Sequence, residues 1–306
     1  MRMSRRLALG AVLLALVSAC GPVGGVDPLR IKIGSVQFDE ARVMAEIYAQ
    51  VLEANDYTVD RAGIGLGTRS VVAPAIESGQ IDLQPEYIGS RLGHEGGTPT
   101  GDPAANASAL RTALAAKNLS VLNYTPAQDQ NAFVVRPATA SQFNLTKMSD
   151  TTAVQDQLLW GLATDCPTNV LCGAPGGALE TAYGLTQATL SGATLLSACD
   201  TPMADALKNE TIDVAELCST QPDILVNGWI VLEDDQQTQP ADNVAPIVRD
   251  DLLARVDRAE FERILNGVSA LIDTPTLAEL YRQVAIDHRD PADVARDWLR
   301  DNELVP

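Results

Sequence analysis

The sequence predicts an α/β fold arranged as two lobes with closing helices, and three observations carry that expectation. Strand-like and helix-like segments alternate from Ile31 onward, a second alternating series opens at Ala132, and from Asp250 to Leu299 the helical period takes over. Folds of this kind commonly bind ligands in crevices between lobes or beyond strand ends.

Taken in order, Ile31-Lys32-Ile33-Gly34-Ser35 alternates like a strand, and Glu40 to Ala54 places Val43, Ile47, Val51 and Leu52 at helical spacing. Tyr57 to Val59 reads as strand, Ser70 to Glu77 as a short helix and Ile81-Asp82-Leu83 as the next strand. Between them the Gly-rich run Gly63 to Thr68 is expected to turn the chain into the helix at Ser70. Asn106 to Lys117 then reads as helix and Leu119 to Leu122 as strand. The second series gives strands at Ala132–Val135, Leu158–Ala163, Ala193–Leu196, Ile212–Val214 and Ile230–Leu232, with helices at Gly177–Tyr183 and Thr201–Lys208. A polar stretch, Glu233 to Asn243, leads into the closing helices.

Ahead of the globular part, Met1-Arg2-Met3-Ser4-Arg5-Arg6 is basic and Leu7 to Ala19 is apolar, the layout of a secretory signal over residues 1–19 and too short to span a bilayer. Small residues precede Cys20, a pattern that directs lipid to the thiol and cleavage before it. Residues 20–28, rich in Gly and Pro, read as a flexible tether. The expected location is therefore the extracytoplasmic face of the cell membrane, with the chain held there by lipid on Cys20. The net charge of −18 excludes nucleic acid as a partner, because a polyanion is repelled.

With Cys20 lipidated, four cysteines remain in an exported chain, which suggests two disulfides among three possible pairings. Cys166 and Cys172 bracket a compact loop, so Cys166–Cys172 with Cys199–Cys218 is the expected set. No metal site is expected, since neither His94 nor His288 sits near a cysteine pair. No cofactor motif and no catalytic constellation stands out: the Gly-rich run lacks the lysine of a phosphate-binding loop, and neither histidine has an evident base partner.

Several segments resemble the substrate-binding proteins of osmoprotectant ABC importers, which take up glycine betaine, choline and carnitine. The similarity lies in Ile33-Gly34-Ser35 with Phe38 and Glu40, in the run Ser78 to Ser90 with its Pro85-Glu86-Tyr87, in Ala245-Pro246-Ile247-Val248 and in Pro291 to Leu299. The resemblance implies a two-lobed periplasmic-binding-protein-like fold whose chain crosses twice between lobes: residues 29–123 and 242–306 in lobe one, 124–241 in lobe two. It also implies a small polar or quaternary-amine solute in the cleft, with ABC permease and ATPase subunits as partners. A surface receptor without a transport role is the alternative reading, and an enzyme on the same fold is a further one.

In such a site Tyr87 occupies the tyrosine position of the Pro-Glu-Tyr motif, and Ser90 stands where a threonine hydroxyl often meets the ligand's acidic end. Methylated cations need aromatic faces because they offer no conventional hydrogen-bond donor on nitrogen. Asn131 and Cys218 stand where rings are common, and the region of Asp242 sometimes carries another. The remaining candidates are polar: Gln37, Thr168, Ser219 and Asn243 alongside Asn131 and Asp242. Such groups suit a ligand that exchanges hydrogen bonds.

Overall fold

The computed structural model describes residues 29–306. The signal segment, Cys20 and the tether lie outside the described residues.

The chain opens with β1 (Arg30–Val36), α1 (Asp39–Ala54), β2 (Thr58–Gly67), α2 (Arg69–Glu77), β3 (Leu83–Tyr87), α3 (Ile88–His94), α4 (Pro103–Ala115) and β4 (Leu119–Val121). A second series follows: β5 (Asn131–Val135), α5 (Pro137–Phe143), β6 (Trp160–Ala163), α6 (Ala178–Tyr183), α7 (Gln187–Ser191), β7 (Thr194–Leu196), α8 (Thr201–Lys208), β8 (Val214–Cys218), α9 (Pro222–Asn227) and β9 (Ile230–Leu232). It ends with β10 (Val244–Arg249), α10 (Asp250–Leu253), α11 (Arg258–Ser269), α12 (Thr274–Ala285) and α13 (Pro291–Asp301). Short 3-10 turns at Met148–Gln157 and Cys166–Thr168 interrupt the second series.

Two five-stranded sheets result, in the orders β2-β1-β3-β10-β4 and β7-β6-β8-β5-β9. They share one plan. In the first, β1 is parallel to β2 and β3, while β10 is antiparallel to β3 and β4. In the second, β6 is parallel to β7 and β8, while β5 is antiparallel to β8 and β9. In each sheet the antiparallel strand beside the parallel set, β5 or β10, is the first strand after the chain passes from one sheet to the other. The two passing segments pair through an antiparallel bridge between Gln128 and Asn243, and Asp129 N donates to Asp242 O at 3.1 Å. Both passages therefore meet at the carboxyl ends of the parallel strands, where α/β crevices form.

Burial explains the layers. Helix α1 is buried almost all round because its apolar face meets the first sheet while α11, α12 and α13 cover it, with Tyr48 Oη and Ser269 Oγ 2.9 Å apart inside the contact. In the second sheet Phe133 and Val135 join one buried cluster and Ala132 and Val134 another, so β5 is covered on both faces.

Several local expectations shift, among them the strand expected at Ile212–Val214, which begins at Val214 and runs to Cys218. The Gly-rich run does not simply turn: β2 extends through it to Gly67, since Gly63 backs onto Ile81 with no room for a Cβ. The strand expected at Ile81 begins at Leu83, because the Asp82 carboxylate is taken by Lys32 N at 2.9 Å before the ladder starts. Strand β10 was hidden by Pro246, which normally argues against a central strand. Here Pro246 stands opposite Pro85, and its carbonyl faces the other way to accept from Leu122 N at 3.0 Å, so the β3–β10 pair needs no N–H from either proline.

Both expected disulfides are bonded, Cys166–Cys172 and Cys199–Cys218. The one group of metal-ligand type among the described residues, Cys166, Cys172 and Glu216, has its two sulfurs joined to each other. No helix of the described residues is long and apolar enough to cross a membrane.

Candidate ligand site

Where the parallel strands end beside the crossovers there is a cavity of about 170 Å³ lined by Phe38, Glu40, Tyr87, Asp129, Cys199, Cys218, Thr220, Gln221 and Tyr281. Both sheets and the first crossing segment, through Asp129, contribute to it. Phe38 and Glu40 follow β1, Tyr87 is the last residue of β3, Cys218 ends β8, and Tyr281 comes from α12. Three larger hollows, of about 690 Å³ between α12 and α13, about 490 Å³ beside β4 and about 420 Å³ beside α5, each lie within a single lobe. The smaller cavity is the better binding site because it combines aromatic walls with buried polar groups that converge.

Its hydrogen bonds run in one direction. Tyr87 Oη donates to Glu40 Oε1 at 2.6 Å, and Thr220 Oγ donates to Asp129 Oδ1 at 2.7 Å. Gln221 Nε2 donates to Asp223 Oδ2 at 3.2 Å. Two buried lining atoms are left without a protein partner: Gln221 Oε1, a carbonyl that accepts, and Glu40 Oε2, which accepts once its carboxyl is ionised. Unpaired buried polar atoms are costly, so such atoms in a cavity wall are natural contacts for a ligand.

The electrostatics follow from this enclosure. Burial first, then the Asp129 charge, push the Glu40 carboxyl well above its ordinary range, with Asp242 adding to the effect against the hydroxyls of Tyr87 and Thr220. Burial also raises Asp129, opposed by Thr220. Tyr281 is pushed up to about 12 by burial and then by Glu40 and Asp129, with Asp39 and Asp223 further contributors. Among the described residues, no Lys, Arg or His lines the cavity. Arg42 is held by Asp39 at 3.0 Å and Arg69 by Glu86 at 3.0 Å.

Of the eight residues singled out from the sequence, Tyr87 lines this cavity, 5% exposed. Ser90 and Asp242 pair at the start of α3: Asp242 Oδ1 accepts from Gly89 N and Ser90 N at 2.8 and 2.9 Å, and Asp242 Oδ2 accepts from Ser90 Oγ at 2.5 Å. Burial, opposed by Ser90, pushes Asp242 up to about 7. Gly89 permits this approach, since a Cβ there would lie 2.6 Å from Ala241 O. Asn243 is buried and donates to Thr125 O at 2.9 Å, tying one crossover to the other. Ser219, just past β8, holds the first crossover, donating to Gln128 O at 2.7 Å and accepting from Gln130 N at 3.1 Å. Asn131 donates to Glu216 Oε1 at 3.1 Å. Thr168 is exposed and donates to Asp165 O at 3.1 Å, and Gln37 is exposed with its backbone N–H on Gly67 O at 2.9 Å.

Sequence reasoning did not single out Asp129, Gln221 or Tyr281 as site residues. Asp129 and Gln221 sit in irregular chain, and Tyr281 has the spacing of any half-buried helical residue. Glu40 stood in the family-like opening segment, and its burial in the first turn of α1 emerged only with the fold. Cys218 reaches the cavity through its bond to Cys199, so a disulfide forms wall where a ring was the alternative.

Known proteins share the sequence pattern and the fold of this chain. The family described as the substrate binding domain of ABC-type glycine betaine transport systems matches residues 30–301. The glycine betaine-binding protein YehZ of Escherichia coli is 29% identical over 297 residues, covering 94% of each chain. A glycine-betaine-binding protein of Pseudomonas aeruginosa is 27% identical over 282 residues, covering 90% of this chain and 88% of its own. The crystal structure of a glycine betaine/carnitine/choline ABC transporter protein shares the fold with a TM-score of 0.79 over 90% of this chain and 99% of its own, at 21% identity. The apo structure of YehZ from E. coli superposes with a TM-score of 0.77 at 25% identity, covering 91% of this chain and all of the other.

Proposed function

The chain belongs to the family of substrate-binding domains of ABC-type glycine betaine transport systems, and from that membership we propose that it captures a quaternary-amine osmolyte in the Tyr87 cavity and delivers it to an ABC importer. The observation that carries the ligand class is the wall of the cavity: Phe38, Tyr87 and Tyr281 supply ring faces and Glu40 and Asp129 supply carboxyl groups. A methylated ammonium is held by ring quadrupoles and by nearby negative charge. The chain acts as a binding protein and not as a catalyst.

The lobes divide at residues 123/124 and 241/242, and the crossovers joined at Gln128 and Asn243 act as the hinge on which the lobes close over ligand. Closure presents both lobes to the permease. The mature chain begins at Cys20 and is anchored by lipid to the extracytoplasmic face of the membrane, the segment 20–28 acting as tether.

Thermal unfolding of residues 29–306 against glycine betaine, choline and carnitine tests the ligand class. A ligand that binds only the folded state raises the midpoint in proportion to its occupancy. No shift with any of the three, together with no bound solute in native mass spectrometry, would sink the reading. Fractionation of a Cys20→Ala variant tests the anchor: the variant leaves the membrane, and its retention there would count against lipid as the tether.

A further inference from the structure

The cavity is built to accept, and that separates ligands which the family name groups together. Each of the donors bonded within its wall is committed to an acidic group: Tyr87 Oη to Glu40, Thr220 Oγ to Asp129 and Gln221 Nε2 to Asp223. The buried atoms left over are Glu40 Oε2 and Gln221 Oε1, on side chains only 3% and 6% exposed. No cationic side chain lines the space, and the nearby Arg42 and Arg69 are held by Asp39 and Glu86. The first turn of α1, which could otherwise receive an anion, carries Asp39 and Glu40. Tyr281 Oη is the one side-chain hydroxyl of the wall without a protein partner, a single neutral donor.

A zwitterion placed here finds a place for its ammonium and a poor one for its carboxylate. That carboxylate would lie in a small enclosed space with no cationic partner, finding a donor only where Glu40 or Asp129 keeps its proton, and stripping water from a charge without a counter-charge is expensive. A cation that carries a hydroxyl or an N–H meets the opposite situation, since its charge favours the ionised form of the two carboxyl groups and its donor answers an orphan acceptor. Resting on the assignment of the cavity as the ligand site, we propose that this chain selects organic monocations bearing a hydrogen-bond donor and no carboxylate, amino alcohols and their N-methylated forms, over zwitterionic betaines.

Calorimetric titration of residues 29–306 with choline, N,N-dimethylethanolamine and glycine betaine, side by side at one pH and salt concentration, tests this. The three share a small methylated nitrogen and differ in donor and net charge. The expected result is at least tenfold tighter binding of the two amino alcohols than of glycine betaine. Glycine betaine binding as tightly as choline, or tighter, overturns the selectivity while leaving the transport reading intact. Absence of binding by all three overturns both. Glu40→Gln supplies a second readout: removing the carboxyl that can ionise against a bound cation should bring the choline-to-betaine affinity ratio down towards one, whereas a purely structural role for Glu40 would weaken both ligands equally and leave the ratio unchanged. An unchanged ratio therefore also counts against the proposal.

Discussion

Replacing Tyr87 by alanine should weaken ligand binding at least tenfold. Tyr87 is 5% exposed and its ring forms one wall of the cavity, so a bound solute covers a face of the ring that alanine cannot replace. If about 60 Å² of ring is turned towards the ligand, the loss at ~25 cal/mol/Å² is about 1.5 kcal/mol, which is roughly tenfold in Kd. Tyr87→Phe separates two parts of that contribution. The ring face is kept, so affinity for a methylated cation should stay within a few-fold of the parent. What is lost is the hydroxyl that donates to Glu40 Oε1 at 2.6 Å, leaving the Glu40 carboxyl without its partner on that oxygen. The cost should appear in folding stability, about 1–3 kcal/mol, seen as a lower unfolding midpoint without ligand. Calorimetry for affinity and thermal unfolding for stability make the comparison. Unchanged affinity in Tyr87→Ala would remove Tyr87 from the site, and Tyr87→Phe binding as poorly as Tyr87→Ala would refute the assignment of the ring face to the cation.

Further outcomes follow from the same geometry. Asp242 is raised from 3.8 to about 7, so its contribution to stability is fully present below the unfolded value and is lost as pH rises through about 7; Glu40 and Asp129 act in the same direction. Asp242→Asn should therefore gain on the parent in unfolding midpoint as pH is raised across that window, and parallel profiles would contradict the burial of Asp242. Cys199→Ser with Cys218→Ser opens a loop of sequence separation 19, which costs about 3 kcal/mol of stability, and it also loosens a cavity wall, so ligand affinity should fall with it. Stability loss with unchanged affinity would show that the disulfide is not part of the site. Arg91 has a fully buried side chain, donating to Glu95 at 2.8 Å and Glu77 at 2.9 Å beside Lys117, which bonds the same two acids, so Arg91→Met should destabilise by about 1.5–3 kcal/mol in denaturant titration by removing their buried partner. A loss well under 1 kcal/mol would show that the network is not what holds α3.

The layers of the fold were legible because they rest on local pattern. Periodicity in Glu40 to Ala54 and alternation in Ala132 to Val135 report burial directly, and the Cys166–Cys172 spacing reports a short loop. Strand β3 was harder because its Gln84 and Glu86 are polar yet buried, satisfied by partners such as Arg69 that the pattern does not announce. Strand β10 was hidden by a proline whose tolerance depends on facing another proline in a distant strand. The site shows the same limit. Tyr87 stood out through its motif, while Glu40, Asp129, Thr220 and Tyr281 come from four separate stretches and meet only when the crossovers fold together. Residues such as Ser219 and Asn243 have the polarity of ligand contacts, but their hydrogen bonds hold the crossovers. Composition cannot distinguish those two uses of a polar side chain.

The central claim is that solute is held between Tyr87 and Tyr281 against Glu40, at the junction of the two sheets. A crystal structure of residues 29–306 grown with choline tests it most directly. The account predicts density for one ligand in that cavity, its nitrogen against the two tyrosine rings and its hydroxyl on Glu40 Oε2 or Gln221 Oε1. Ligand bound instead in the groove between α12 and α13, or in the cleft without contact to Tyr87 and Glu40, would contradict it.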